Sequence, residues 1–298
     1  MSVKLDLYKI FWEVAKSGSL SKGASNLYMT QPAVSQAIQQ LERELGIRLF
    51  TRTPRGVVLT NEGQILFEHV SSAMNLIKLG ETKLAESKNL MAGVLRVGVG
   101  DTISRYYLLP YLESFHNEYP NIKLKIINRT TLEICQLLKS GEVDIGICNL
   151  PVGDPALNVI KLMDIQDIFV CGEKYKYLTH KKMSFNELAQ LPLILLEDKA
   201  NSRQYVEKYI LSKGVRIEPE IELGSHDLLL EFAKINLGIS CVIREFSKEY
   251  LERKILYQVK LLEEIPKRSI GVSFLKSVSL SSAAEKFIEY LGNKSSLS

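Results

Sequence analysis

From residue 94 onward, apolar runs too short for helices alternate with stretches of helical periodicity, and this alternation narrows the possible folds more than any other feature. Residues 94–99 read as an apolar strand, 108–119 as a helix closed by Pro120, and 122–127 as a second strand. A helix over 132–139 stops at Gly141, and 143–150 is a continuous apolar strand. Such a βαβαβ order predicts a parallel sheet with helices on both faces. A second series follows, with strands at 168–171, 193–196, 221–223 and 239–243 and helices at 185–188, 203–213 and 228–235. A strand over 269–275 and a helix over 282–291 end it. Two α/β lobes of roughly a hundred residues each would enclose a cleft, the usual seat of a small ligand.

The first 60 residues follow a different, helical rule. Leu5, Tyr8, Phe11, Trp12 and Ala15 share one helical face, and Ser17-Gly18-Ser19 interrupts it. Leu20, Ala24 and Leu27 resume the period from a Ser19 or Ser21 cap. Thr30 is a good N-cap, Pro32 is tolerated in a first turn, and Val34, Ala37, Ile38 and Leu41 form the next stripe, so a helix spans about 31–45 and ends at Gly46. Two helices joined by a short turn match a helix-turn-helix. After Gly46, β-prone pieces flank Pro54 to Gly56, a hairpin wing with Arg52 and Arg55 near its tip.

Charge supports that reading. The net charge of +4 is small for 298 residues, but residues 1–60 carry eight basic side chains against the acids Asp6, Glu13, Glu42 and Glu44. The other 238 residues hold 30 of each sign. A recognition helix offers its N-terminal side chains to base edges, here Gln31, Pro32, Ser35 and Gln36. Gln can pair bidentately with adenine, Ser can donate or accept, and Pro can touch a thymine methyl. Gln36 and Gln39 read equally well as plain surface. Arg52 and Arg55, with the Thr30 and Ser35 hydroxyls, suit phosphate and minor-groove contact, whereas Lys22 and Arg43 read as solvated charges.

A long helical pattern runs from Thr60 to about Asn89, and Leu66, Val70, Ala73, Ile77, Gly80 and Leu84 trace a heptad seam along it. The seam predicts a dimer through this helix; packing on its own domain is the alternative. No stretch approaches the ~20 apolar residues of a membrane helix, so a cytosolic chain without membrane contact is expected. The four Cys form no CxxC and the four His no HExxH, so neither a metal nor any other cofactor is expected. GxSxG, GxxxxGK[ST] and GxGxxG are missing, and Val97-Gly98-Val99-Gly100 supplies only part of the last. An α/β enzyme with a DNA-binding regulatory head is therefore the weaker alternative.

The segment FWEVAKSGSLSKGASNLYMTQPAVSQAIQQLERELGIRLFTRTPRGVVLTNEGQIL resembles the DNA-binding part of the LysR-type transcriptional regulators. Its marks are SGSLSKGAS, TQPAVSQAIQQLE, LGIRLFTR and LTNEG, and LRVGVG, LLPYLESFHNEYP, LKSGEVDIGIC and NLGISCVI extend the likeness over the rest of the chain. Where Gln36 and Gln39 stand, family members often carry Arg or Lys. The resemblance implies a winged helix-turn-helix domain over 1–60, a dimerising linker helix over 61–92, and a periplasmic-binding-protein-like effector domain over 93–298. Within the last, lobe one covers about 93–164 and 269–298, and lobe two about 165–268. It further implies a homotetramer of dimers, a palindrome-like double-stranded promoter site and a small-molecule co-inducer in the cleft.

For that co-inducer, Thr102 and Ser104 follow the first strand, Thr130 and Thr131 the second, Ser202 and Arg203 open one helix of lobe two, and His226 with Asp227 opens another. Helix capping explains each singly; together the hydroxyls and Arg203 favour a small anion such as a carboxylate. A thiol-redox regulator is the remaining alternative. The peroxide-sensing branch of the family carries a close Cys pair in lobe two, whereas Cys171 and Cys241 are far apart in sequence.

Overall fold

A computed structural model describes residues 3–54, 56–86 and 93–295. The chain divides into a small unit built on Met1–Lys88 and a large one built on Asn89–Leu138 and Val143–Ser298. In the small unit, α1 (Leu5–Ser17) ends where Gly18 turns left-handed, and α2 (Leu20–Asn26) starts at Ser19, whose Oγ accepts from the Lys22 amide at 3.3 Å. Thr30 caps α3 (Gln31–Leu45) and Gly46, at φ 70°, closes it. The wing is β1 (Phe50–Thr53) paired antiparallel with β2 (Gly56–Leu59). Helix α4 (Asn61–Glu86) follows.

Phe11, Val14, Val34, Leu41, Leu49 and Val57 form the centre of this unit's core. Glu42 fastens the wing to α3, its Oε1 accepting from the Leu49 amide at 2.8 Å and the Phe50 amide at 3.3 Å. Only glycine serves at position 56: its φ is +136°, and a Cβ there would meet the Gly18 carbonyl oxygen at 2.3 Å. That carbonyl instead accepts from the Val57 amide at 3.0 Å.

The large unit holds two five-stranded sheets. Lobe one contains β3 (Gly93–Val99), β4 (Ile122–Asn128), β5 (Ile145–Asn149), β6 (Leu157–Ile165) and β12 (Arg268–Leu275), in the order β4-β3-β5-β12-β6. Its helices are α5 (Asp101–Ile103), which passes through a π-helical turn at Ser104–Leu108 into α6 (Leu109–Glu118), then α7 (Thr131–Lys139) and α12 (Ser282–Ser295). Lobe two contains β7 (Asp167–Cys171), β8 (Leu193–Leu196), β9 (Ile221–Leu223), β10 (Ile239–Ile243) and β11 (Tyr257–Val259), in the order β11-β7-β10-β8-β9. A 3₁₀ segment (Glu173–His180) and helices α8 (Phe185–Leu188), α9 (Asn201–Ser212), α10 (His226–Lys234) and α11 (Lys248–Glu252) surround this second sheet.

The sheets are mixed, which corrects the expectation of parallel ones. β3 runs parallel to β4 and β5, and β8 runs parallel to β9 and β10. β12, however, is antiparallel to β5 and β6, and β7 is antiparallel to β10 and β11. Antiparallel neighbours need no helical crossover, so β6 and β7 follow β5 with no helix between them. The GxG of Gly98 to Gly100 lies in a stretch whose glycine serves packing: a Cβ at Gly98 would meet Ile134 Cγ2 at 3.1 Å. A Cβ at Gly146, beside Gly98 in the ladder, would sit 2.4 Å from Ile134 Cγ2, so α7 lies directly on bare backbone.

Candidate DNA-reading face and effector cleft

On α3 the buried Val34, Ile38 and Leu41 fix which side faces outward. Gln31, Pro32, Gln36 and Gln39 are exposed on the other side and Ser35 is half-buried. Thr30 is exposed, and its Oγ1 accepts from the Ala33 amide at 3.4 Å, a long cap that leaves the hydroxyl hydrogen uncommitted. Arg52 is exposed on β1, while Arg55 lies outside the described residues. Two residues beyond those expected stand on the same rim. Tyr28, in the turn before α3, is 99% exposed with φ 54°, and Met29 is 38% exposed. Their signal in the sequence is two large side chains in a turn that no apolar stripe claims.

Among the described residues, Lys4, Lys9, Lys22, Arg43, Arg48 and Arg52 form no ion pair. Three of the four nearby acids are otherwise engaged. Glu13 accepts from Asn26 Nδ2 at 2.6 Å, Glu44 from Gln40 Nε2 at 2.8 Å, and Glu42 from the wing amides. These cations are therefore not consumed within the fold, and an anion such as a phosphate is the kind of group they suit.

In the large unit, a cavity of about 330 Å³ opens between the lobes. Thr102, Arg129, Thr130, Thr131 and Asn149 line it from lobe one, and Lys199, Ala200, Asn201 and Ser202 from lobe two. The start of α9 faces it without a side-chain cap, so the first-turn amides are open to an acceptor. Thr131 Oγ1 accepts from the Asn149 amide at 3.3 Å. Thr130 gives both its amide (2.9 Å) and its hydroxyl (2.7 Å) to Glu133, which holds that carboxyl below its ordinary range. Thr130 is thus committed to capping α7.

Behind the cleft lies a buried polar node. Arg268 donates from Nε to Asp167 Oδ2 at 2.6 Å and from Nη2 to Oδ1 at 2.9 Å, and it also reaches Asn149 and, at 2.7 Å, Ser202 Oγ. The Ser202 oxygen accepts there, so its own hydrogen remains for a ligand.

Three expected residues stand outside the cavity lining. Ser104 begins the π-helical turn, its amide bonded to the Gly100 carbonyl at 2.8 Å. Arg203 spends its guanidinium on Glu207 (2.7 Å), Glu222 (2.7 Å) and the Leu196 carbonyl (2.8 Å). His226 is buried, its Nε2 accepts from the Ile243 amide at 3.1 Å, and burial lowers its pKa to about 4. That geometry makes it a neutral imidazole with the proton on Nδ1, packed on Tyr106 and Phe246. Its neighbour Asp227 joins the lobes: it accepts from the Tyr106 hydroxyl and pairs with Arg105 at 2.8 Å. Arg129, Asn149, Lys199 and Arg268 were not foreseen; a charge directly before the apolar run of β12 was the available hint for the last.

Three of the four thiols are held toward the protonated form. Cys135 beside it, together with burial, pushes the Cys148 thiol up; burial raises Cys171 to about 11 and Cys241 well above its ordinary value. Among the described residues no group of His, Cys, Asp and Glu could hold a metal ion, and no helix is long and apolar enough to cross a membrane.

A winged helix-turn-helix with unpaired cations, carried on the same chain as a two-lobed module with a ligand-sized cleft, defines a ligand-responsive DNA-binding regulator. Residues 5–64 match the bacterial regulatory helix-turn-helix proteins of the lysR family and 88–296 match the LysR substrate binding domain; the chain belongs to the LysR family of transcriptional regulators. It is 24% identical to the HTH-type transcriptional activator CmpR of Synechocystis, over 96% of this chain and 94% of that one. It is likewise 24% identical to the RuBisCO operon transcriptional regulator of Allochromatium vinosum, over 98% and 96%. A full-length OxyR variant of Pseudomonas aeruginosa has the same fold, with a TM-score of 0.71, 20% identity and coverage of 100% and 96%. Full-length CbnR, solved with its target DNA, aligns with a TM-score of 0.66 at 17% identity over 98% and 100%.

Proposed function

We propose that this regulator reads promoter DNA with Gln31, Pro32, Ser35 and Gln36 on α3, flanked by Tyr28 and Gln39. Thr30 at the start of α3, Arg52 on β1 and Arg55 are assigned to the DNA backbone. The effector is a small carboxylate or similar anion held between the lobes. The observation that carries the effector class is the uncapped start of α9, which meets Arg129, Lys199, Thr102, Thr131 and the Ser202 hydroxyl in one cavity. Ser104, Arg203 and His226 shape that site from behind without touching the ligand. The protein acts by binding, in the cytoplasm where its DNA is, and catalyses nothing; burial of Cys135, Cys148 and Cys171, and the raised values of Cys148, Cys171 and Cys241, disfavour redox sensing.

The domains follow the same division: 1–60 for DNA, 61–92 for dimerisation, and 93–298 for the effector, with lobes at about 93–164 plus 269–298 and 165–268. Helix α4 supports a homodimer, because Ala73 and Gly80 of its seam are exposed, as are Ile77 at 42% and Leu84 at 72%. Pairing of such dimers gives a tetramer. CbnR was solved on its target DNA, which supports the same use of the head here.

Fluorescence anisotropy on operator and scrambled duplexes tests the DNA face. Gln31→Ala should cost about 1–3 kcal/mol on the operator and nearly nothing on the scrambled duplex. Arg52→Ala should weaken both and flatten the salt slope. A uniform loss for Gln31→Ala would remove its base-reading role. For the effector, DNase I footprinting with and without carboxylates that shift the melting temperature should show protection that changes with ligand. Ser202→Val should abolish the change and leave ligand-free protection intact.

A further inference from the structure

A second cavity, of about 200 Å³, lies in the large unit away from the effector cleft. Its inner wall is apolar, from Ile168, Phe169, Val259 and Ile265, and three cations border it: Arg244, Lys182 and Lys260. Arg244 is half-buried, and its Nε is buried without a hydrogen-bond partner. Its Nη2 reaches only the neutral Gln258 Oε1, at 3.4 Å. Lys182 and Lys260 are exposed and form no ion pair among the described residues. Two carboxylates also line the space. Asp167 is neutralised by its two-point pairing with Arg268, and Glu264 accepts from Gln166 Nε2 at 3.4 Å. Three cations therefore face one uncompensated acid.

A buried guanidinium N–H left without an acceptor costs free energy that a protein rarely leaves unrecovered. A carboxylate would pair with the Arg244 guanidinium at the cavity wall and lie within the field of both lysines, with its carbon skeleton against the apolar wall. We propose that this cavity is a second ligand site, specific for a small organic carboxylate with an apolar body. Its position gives it influence. The chain passes between lobes beside it: the Arg244 amide donates to the Gln166 carbonyl at 2.9 Å, the Gln166 amide donates to Glu245 at 2.9 Å, and Gln166 Nε2 donates to the Ile265 carbonyl at 3.1 Å. A ligand here holds the segments about which the lobes must turn, and it should alter operator affinity as a second input alongside the cleft.

The test uses full-length protein and 4-bromobenzoate as probe, with 4-bromobenzamide as the uncharged control. Crystals soaked with the acid should show bromine anomalous density in this cavity, and the amide should bind about tenfold or more weakly by calorimetry. Arg244→Gln and Lys260→Gln should each weaken the acid by about tenfold while Thr102→Val, in the effector cleft, leaves this site's affinity unchanged. The lysine is at the mouth and its replacement does not disturb packing, so its result stands even if Arg244→Gln misfolds. Bromine density confined to the effector cleft, equal affinity for acid and amide, or indifference to Lys260→Gln would each overturn the proposal; none of them counts against a carboxylate in the cleft.

Discussion

Arg268 and Asp167 show how costly a single residue's charge becomes once enclosed. Their side chains are 3% and 1% exposed, so each is tolerated only because the other is there. Asp167→Asn should lower stability by about 3–5 kcal/mol in urea unfolding, and the double change Asp167→Leu, Arg268→Met should recover most of that loss. Similar costs for the single and double variants would mean that packing, not charge, decides. His226 makes a pH-dependent contribution of the opposite kind. Its folded pKa of about 4 lies below the ordinary 6.5, so between those values the unfolded chain binds the extra proton. Stability is complete above pH 6.5 and falls on acidification toward pH 4, by a few kcal/mol in all. His226→Gln, whose amide oxygen can still accept from the Ile243 N–H, should remove that slope. Matching wild-type and variant curves from pH 7.5 to 5 would show that the imidazole is not its source.

At the scale of elements, the wing is tied to the end of α1 by a backbone hydrogen bond, Val57 amide to Gly18 carbonyl, that a side chain at position 56 would break. Gly56→Ala should destabilise the head by more than about 1 kcal/mol and weaken operator binding, seen as a lower melting temperature and a higher dissociation constant. An unchanged melting temperature would show that the hairpin can move aside at no cost. These local features were legible beforehand because capping and turn chemistry are written in adjacent residues: Thr30, Pro32 and Gly46 bound α3 in sequence as they do in space. β6 was not. As an edge strand it presents four consecutive exposed residues, Asn158 to Lys161, and has neither the alternation nor the continuous apolar run that marks a strand. The effector cleft was half legible. Thr102, Thr131 and Ser202 follow strand ends or open helices, a local rule, whereas Arg129 and Lys199 enter through the approach of two lobes that no spacing encodes. Arg203 was misleading for the same reason: Glu222, which takes its charge, is 19 residues away.

For the whole molecule, operator affinity should depend on the α4 seam. Ile77→Glu with Leu84→Glu should yield monomers in light scattering, and loss of the second half-site should weaken operator binding by about 10²- to 10⁴-fold. Retained dimers would move the interface elsewhere. Effector and promoter must also report on each other equally: whatever factor the ligand applies to DNA affinity, DNA must apply to ligand affinity. The two-lobed unit adds one more consequence. The chain leaves lobe one at Ile165 and re-enters at Arg268, and these residues face each other across one rung of the β6–β12 ladder. In topological terms lobe two is a loop on a hairpin, grown to the size of a domain. Genetic exchange at this single point would replace lobe two's wall of the cleft and leave the ladder of lobe one continuous, so the same DNA-reading head can acquire an altered chemical sense in one step.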